Sequence, residues 1–394
     1  MPNNKSVRKI AIVGGAGHVG LPLSLVLADN GVDVVVIDIN VMAIKEIRNG
    51  GYPFLEDGGQ ELLEKVLKDG NFSLSSNYKY VTNCEAVILT VGTPVDEHLN
   101  PDLSTVYTAV EEIQSYLSNG QVLIFRSTLF PGTSEKIHKM IEKMGLDVGV
   151  CFCPERISQG HAIREFSEFP QIISGSDQRS LDMAKRIFSS IAPETIELGM
   201  TEAELAKLFT NTWRYITFAI ANQFYMLAEE KGLDFYRIRD ALAKNYPRAS
   251  DMPMAGFAAG PCLFKDTMQL AAFNRHNFAL GHASMIINET LPDFLIEKAK
   301  KQMNLNGLKV GILGMAFKPN SDDKRESLAY KLKKLLHYEN AEVLCTDPYI
   351  KDDDFHSLDD VLNESEIIFI GCPHEEYAGL CINNKTVINC WSPQ

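Results

Sequence analysis

Residues 8 to 40 set the pattern for the first half of the chain. Lys9-Ile10-Ala11-Ile12-Val13 is a short apolar run rich in β-branched residues. A glycine turn follows. Leu21 to Ala28 then suits a helix, and Gly31 fits its C-terminal stop. Val34-Val35-Val36-Ile37 is a second continuous apolar run, as expected of a strand buried on both faces of a parallel sheet. Ala86 to Val91, Val122 to Phe125 and Val148 to Phe152 predict further buried strands, with helical stretches between them. This alternation predicts an α/β, doubly wound domain over roughly residues 1–195.

The period changes at Thr201-Glu202-Ala203-Glu204, which has the spacing of a capping box. It predicts a long helix running to Lys231, with Gly232 as its stop. Leu205, Leu208, Phe209, Trp213, Ile216, Ile220, Phe224 and Leu227 approximate an apolar stripe along it. Such a helix suits the joining of two domains and the building of a dimer interface. Helical text continues to about residue 303, interrupted by the Pro/Gly/Ala-rich segment Pro247 to Pro261. His276 and His282 fall in that text and read as structural or surface residues. Then the opening pattern returns. Lys309-Val310-Gly311-Ile312-Leu313-Gly314 echoes Lys9 to Gly14, and Glu342 to Asp347 echoes Val34 to Asp38. The expected plan is two Rossmann-like doubly wound domains, 1–200 and 305–394, joined by a central helical domain, 201–304. The last domain lacks the full glycine fingerprint, so it is expected to bind something other than a dinucleotide.

Composition narrows the field. A chain of 394 residues exceeds one typical core. Its 45% hydrophobic and 23% charged content is that of a globular protein. The net charge of -13 argues against nucleic acid as a partner, while leaving room for a small anionic ligand. No run approaches the roughly 20 apolar residues of a membrane span. The segment Met1 to Arg8 is too short and polar for a secretory signal. Eight Cys lack CxxC spacing, so neither a metal site nor a disulfide framework is expected, and the cytoplasm is the expected compartment. Cys151 and Cys153 should point to one face of a strand.

Several short motifs carry chemistry. Gly15-Ala16-Gly17-His18-Val19-Gly20 fits G-x-G-x-x-G between a strand and a helix, and Asp38 closes the next strand. This context predicts a pyrophosphate at the helix N-terminus and a ribose on Asp38, favouring NAD over NADP. Thr93, in Gly92-Thr93-Pro94, and Thr128, in Arg126-Ser127-Thr128, lie past strand ends, where ligands of open α/β sheets bind. Glu155 and Arg156 follow another strand. A carboxylate there could assist water, and a guanidinium could meet a polar substrate. Lys207 and Asn211 share one face of the long helix and could form an oxyanion site. Cys262 follows Gly260-Pro261 and precedes Lys265 and Asp266. A thiol far downstream of a dinucleotide loop suggests an aldehyde held as a thiohemiacetal, oxidised to a thioester, then hydrolysed. Each feature has a plainer alternative. These are a glycine turn with a capping Asp, turn-forming Thr, a surface ion pair, a solvated helix face and a small buried Cys.

Together these residues resemble the UDP-glucose/GDP-mannose dehydrogenase family, the nucleotide-sugar 6-dehydrogenases, over nearly the whole chain. The resemblance also rests on Pro131-Gly132-Thr133 and on the long segment Gly314 to Ser327. It implies that Cys262 is the nucleophile, and that Lys207 with Asn211 stabilises the oxyanion. It implies that Asp266 and Glu155 serve water and thioester hydrolysis, with Thr128 near the nicotinamide. Cofactor contacts are expected from Gly15, Gly17, His18, Val19, Gly20, Asp38, Thr93, Thr128, Lys265 and Arg325, the arginine offered across a dimer. Substrate contacts are expected from Glu155, Arg156, Lys207, Asn211, Arg248, Gly260 and Lys318. The last domain would bind the UDP portion. Cys153-Pro154-Glu155-Arg156 is similar to the branch acting on UDP-N-acetylhexosamines such as UDP-N-acetylmannosamine. Two departures stand out: Phe264 replaces a proline of the family's cysteine motif, and Ala258 and Ala259 thin its glycines. The implied activity is a four-electron, NAD-dependent oxidation of a UDP-sugar to the uronate, by a homodimer joined through the central helix. The alternatives are a two-electron β-hydroxy-acid dehydrogenase and a non-catalytic nucleotide-sugar or NAD sensor.

Overall fold

A computed structural model describes residues 7–96, 101–380, 382 and 385–391. The chain divides into two compact units, one ending at Phe209 and one beginning at Thr210.

The first unit is built on six parallel strands: β1 (Lys9–Val13), β2 (Asp33–Ile37), β3 (Phe72–Ser75), β4 (Ala86–Leu89), β5 (Val122–Phe125) and β6 (Gly149–Phe152). Their order is β3-β2-β1-β4-β5-β6. The order reverses between β1 and β4, which opens a crevice at the carboxyl ends of the strands. Alternate residues feed two cores. Ile10 and Ile12 enter one, Ala11 and Val13 the other. Burial on both faces explains the continuous apolar runs, each fully buried Ile or Leu contributing about 1.5–3 kcal/mol. A small sheet pairs β7 (Gln171–Ile173) with β8 (Thr195–Glu197).

The long helix runs Met200–Glu230. Its expected capping box is not formed. Glu202 accepts the Gly199 N–H at 2.7 Å. Glu204 instead serves another helix, Thr133–Lys143, accepting the N–H groups of Gly132 at 2.5 Å and Ser134 at 2.8 Å and the Ser134 hydroxyl at 2.7 Å. The unpaired N–H groups and dipole of that helix N-terminus attract a buried carboxylate more strongly than Glu204's own helix start does. Burial pushes the Glu204 carboxyl above its ordinary value, and these hydrogen bonds oppose the shift. The apolar stripe also divides. Leu208 and Ile216 are buried, whereas Phe209, Trp213, Ile220, Phe224 and Leu227 stand exposed, Trp213 at 64%.

The second unit joins helices to a four-stranded parallel sheet, ordered β10 (Glu342–Thr346), β9 (Lys309–Leu313), β11 (Ile367–Ile370) and β12 (Thr386–Ile388). Tyr225, Leu291 and Leu295 share one core with Val310, Ile312 and Leu332. His276 is not helical. The helix Leu263–Phe273 ends before it, and Arg275 and His276 both take left-handed backbone angles in the turn. Among the described residues no helix is long and apolar enough to cross a membrane, and no group of three His, Cys, Asp or Glu is placed to hold a metal ion.

Candidate active site

The three fingerprint glycines do different work. A Cβ on Gly15 would stand 2.7 Å from the Ile12 carbonyl oxygen, and one on Gly20 only 2.5 Å from Gly15 Cα. Both positions are forced by packing of strand, turn and helix. A Cβ on Gly17 would meet nothing nearer than 3.7 Å. Its open side suits close approach of a pyrophosphate. Val19 precedes the helix Gly20–Asp29, whose N-terminus has no side-chain cap. The Leu21 N–H donates to the Gly17 carbonyl at 2.9 Å and Pro22 carries none, so an anion there would be met chiefly by the helix dipole. Asp38 accepts the Ala16 N–H at 3.0 Å and the Asn40 N–H at 2.9 Å. The carboxylate thus braces the turn while remaining half-buried. His18 packs its ring on Phe54, centroids 4.0 Å apart. These residues fit a dinucleotide. Sequence reasoning missed Thr90, whose hydroxyl bonds the carbonyls of Val13 and Gly14 at 3.0 and 2.9 Å.

Around the neighbouring strand ends, Thr93 and Thr128 are buried. Glu155 is buried too, and forms an ion pair with Arg126, which is 1% exposed. The Glu155 backbone carbonyl accepts a hydrogen bond from the Lys207 ammonium. Lys207 is therefore brought to the segment just past β6. The Arg156 guanidinium donates to the Pro170 carbonyl.

In the second unit, Cys262 occupies the cap position before the helix Leu263–Phe273. It is the exposed thiol among the described cysteines. Cys84, Cys151, Cys153, Cys345, Cys372 and Cys390 are buried, and burial pushes the thiol of Cys153 up to about 12. Such thiols are structural. The loop before Cys262 is fastened at both ends. The Asn222 side chain binds both backbone groups of Gly256, at 3.0 and 2.9 Å. The Gly260 N–H donates to the Glu326 carbonyl at 3.2 Å. Gly260 has φ +96°, and a Cβ there would lie 2.5 Å from the Phe317 ring, so only glycine fits. This contact sets the thiol loop beside Arg325, whose guanidinium interacts electrostatically with Cys262. Arg325 is itself gripped by Asp323 at 3.0 and 2.6 Å. Asp266 is fully buried, one oxygen 2.6 Å from the Asn211 amide and the other 3.0 Å from the Lys265 ammonium. Lys318 lies half-buried with its ammonium 5.9 Å from the Phe317 ring centre. Arg248 stands exposed in a turn after the helix Phe235–Ala243.

The second sheet carries its own buried polar centre. Asp347 and His374 side chains are fully buried and 3.0 Å apart. The Asn320 N–H donates to His374 Nδ1, so Nε2 carries the hydrogen that Asp347 accepts. Neither residue was singled out in the sequence for this pairing, and no local spacing announces it.

A dinucleotide loop, a buried lysine and carboxylate past neighbouring strands, and an exposed thiol at a helix start are the parts of an NAD-dependent dehydrogenase. Three domain descriptions of one family match the chain in series: the NAD binding domain at residues 8–192, the central domain at 201–290 and the UDP binding domain at 311–391. The chain belongs to the UDP-glucose/GDP-mannose dehydrogenase family, whose members are NAD-dependent nucleotide-sugar dehydrogenases. It is 33% identical over 376 residues to a UDP-N-acetyl-D-mannosamine dehydrogenase of Methanocaldococcus jannaschii, covering 94% of this chain and 86% of the relative. Among solved structures, a UDP-glucose dehydrogenase of Pyrobaculum islandicum superposes with TM-score 0.93 at 25% identity, covering 99% of this chain and 96% of that one. A UDP-N-acetylmannosamine dehydrogenase of Pyrococcus horikoshii follows, with TM-score 0.91 at 28% identity, covering 98% and 95%.

Proposed function

We propose that the chain oxidises the C6 hydroxyl of a UDP-N-acetylhexosamine, UDP-N-acetylmannosamine first among them, to the uronate through a cysteine-bound thioester. The observation that carries this reading is Cys262: an exposed thiol at a helix N-terminus, in electrostatic interaction with the Arg325 guanidinium. NAD, when bound, accepts hydride in each of two oxidations. Cys262 adds to the aldehyde formed first, and the thiohemiacetal loses the second hydride to leave a thioester. Lys207 and Asn211, one turn apart on the long helix, supply an ammonium and an amide to the oxyanion. Asp266 and Glu155 serve the hydrolytic water, with Thr128 beside it. Gly15, Gly17, His18, Val19, Gly20, Asp38, Thr93, Lys265 and Arg325 are assigned to the cofactor. Arg156, Arg248, Gly260 and Lys318 are assigned to the sugar nucleotide. The sugar assignment is supported by the names of the relatives and by Cys153 to Arg156. The functional modules are proposed at 1–200, 201–304 and 305–394.

Counting NADH against a panel of UDP-sugars tests the reading. Two NADH per molecule of UDP-N-acetylmannosamine is the expected result. One per molecule would point to a two-electron dehydrogenase, and none despite binding to a sensor.

We also propose a homodimer through the long helix. Phe209, Trp213, Ile220, Phe224 and Leu227 form an exposed apolar stripe on it, of the kind soluble monomers seldom carry. Sedimentation should show a dimer for the unaltered chain and a monomer for Trp213→Glu/Phe224→Glu. A monomeric unaltered chain would remove the proposal.

A further inference from the structure

Arg126 directly follows β5 and is almost wholly buried. Its guanidinium donates to acceptors from separate segments: Glu155 Oε2, Gln171 Oε1 at 3.0 Å and the Cys153 carbonyl at 3.4 Å. Phe188 and Phe166 flank it, their ring centres 4.9 and 5.8 Å from Cζ. A guanidinium in such surroundings loses its hydration, and an apolar side chain of similar volume often serves stability as well. Stability alone is thus a weak reason for Arg126.

Glu155 provides another. Its Oε1 accepts the N–H groups of Arg156 at 2.6 Å and Ile157 at 2.7 Å, and its Oε2 accepts from Arg126. A carboxylate offers about four acceptor positions. These donors fill all but one, and the remaining one lies on Oε2, the oxygen Arg126 holds. The same residue's backbone carbonyl receives the Lys207 ammonium. One buried cation thus orients the carboxylate on a segment that also holds the proposed oxyanion lysine.

We propose that Arg126 is a positioning residue for thioester hydrolysis, fixing Glu155 so that a single acceptor position faces the attacking water. The proposal rests on the four-electron reading above. In the step concerned, the water oxygen bonds to the acyl carbon and the carbon–sulfur bond breaks. Cys262 leaves as thiolate. Glu155 takes one proton of the water, and the acid product releases the other to solvent. No electrons are exchanged in this step. Losing Arg126 slows this step and spares the two hydride transfers before it.

Rapid-quench experiments with NAD and UDP-N-acetylmannosamine test this, with NADH read by absorbance and the quenched protein by intact and peptide mass. Arg126→Met is expected to release two NADH per site in a burst and then stall. Acyl mass should sit on Cys262, and steady turnover should fall about 100-fold. Hydroxylamine, which cleaves thioesters, should restore turnover. Glu155→Gln should behave alike. Should Arg126→Met fail to fold, Arg126→Lys carries the same test, because it keeps the charge and loses the planar fork. It too is expected to hold the adduct. Wild-type hydrolysis in the Arg126 variant beside a trapped Glu155→Gln overturns the proposal alone. So does a slow variant with no adduct and no response to hydroxylamine, since the loss then lies before the acyl-enzyme. One NADH per substrate in the unaltered chain, with no acyl mass in any variant, overturns the four-electron reading and this proposal with it.

Discussion

The stretch from β1 to Asp38 and the stretch from β9 to Asp347 share a plan of strand, turn, helix and strand, closed by an aspartate whose carboxylate holds the N–H groups of the turn. Their chemistry parts at that carboxylate. Asp38 accepts two backbone N–H groups, which leaves acceptor positions for a ribose hydroxyl. Asp347 is enclosed and accepts from Met315, Ala316, Tyr349, Ile350 and His374. The turns differ likewise. Gly17 has open space on its Cβ side, whereas the matching position of the second turn is Phe317, whose ring packs so closely on Gly260 that a Cβ there would lie 2.5 Å from it. A dinucleotide site thus requires more than the strand–turn–helix plan. It requires a turn left open and an aspartate left unfinished. The second module commits both to its own packing, in keeping with a domain of the UDP binding type.

The largest expected effect follows from that commitment. Asp347→Ala leaves several buried donors unpaired and should destabilise the second unit by about 3 kcal/mol or more. Asp38→Ala should cost about 1 kcal/mol or less and instead erode the preference for NAD over NADP. Urea unfolding and the kcat/KM ratio of the two cofactors check both, and equal stability losses would break the comparison. The pH dependence sharpens it. Burial pushes the Asp347 carboxyl up, but His374 and the Met315 N–H outweigh burial and hold it below the ordinary value. Its contribution is therefore full above about pH 4 and lost as pH falls through the lowered folded value. The stability gap between wild type and Asp347→Asn should narrow only in that acid range.

Smaller effects separate the glycines. Gly20→Ala forces a Cβ against Gly15 and should destabilise by about 1–3 kcal/mol. Gly17→Ala should change stability by under about 0.5 kcal/mol yet weaken NAD about tenfold, the equivalent of one lost hydrogen bond. Calorimetric titration with NAD and thermal unfolding distinguish the two. Unchanged NAD affinity in Gly17→Ala would mean that the open side of the turn is not the cradle.

Strands β1, β2, β4, β5, β6, β9 and β10 were legible because burial leaves continuous apolar runs, and the glycine loop because strand, turn and helix are adjacent in sequence. Strands β3, β7, β8, β11 and β12 were not read; β3, at the edge of its sheet, buries only Phe72 and so leaves no such run. Cys262 was legible as chemistry but not as a helix cap, since Gly260 and Pro261 read simply as loop. What escaped is pairing over distance. Arg126 meets Glu155, Asn211 meets Asp266, and Glu204 caps a helix that begins at Thr133, all through contacts more than 25 residues apart in sequence. The Thr201 to Glu204 spacing fits a capping box, but burial drew Glu204 to a stronger set of donors. No local period records such choices, because they are made by packing.

The central claim is that Cys262 carries the sugar through a covalent second oxidation. Uronate formed by purified Cys262→Ala, measured against the unaltered protein with UDP-N-acetylmannosamine and NAD, tests it most directly. The account predicts that acid formation falls at least about a thousandfold, with Cys262→Ser equally blocked. Full conversion to the acid with two NADH by Cys262→Ala would contradict it.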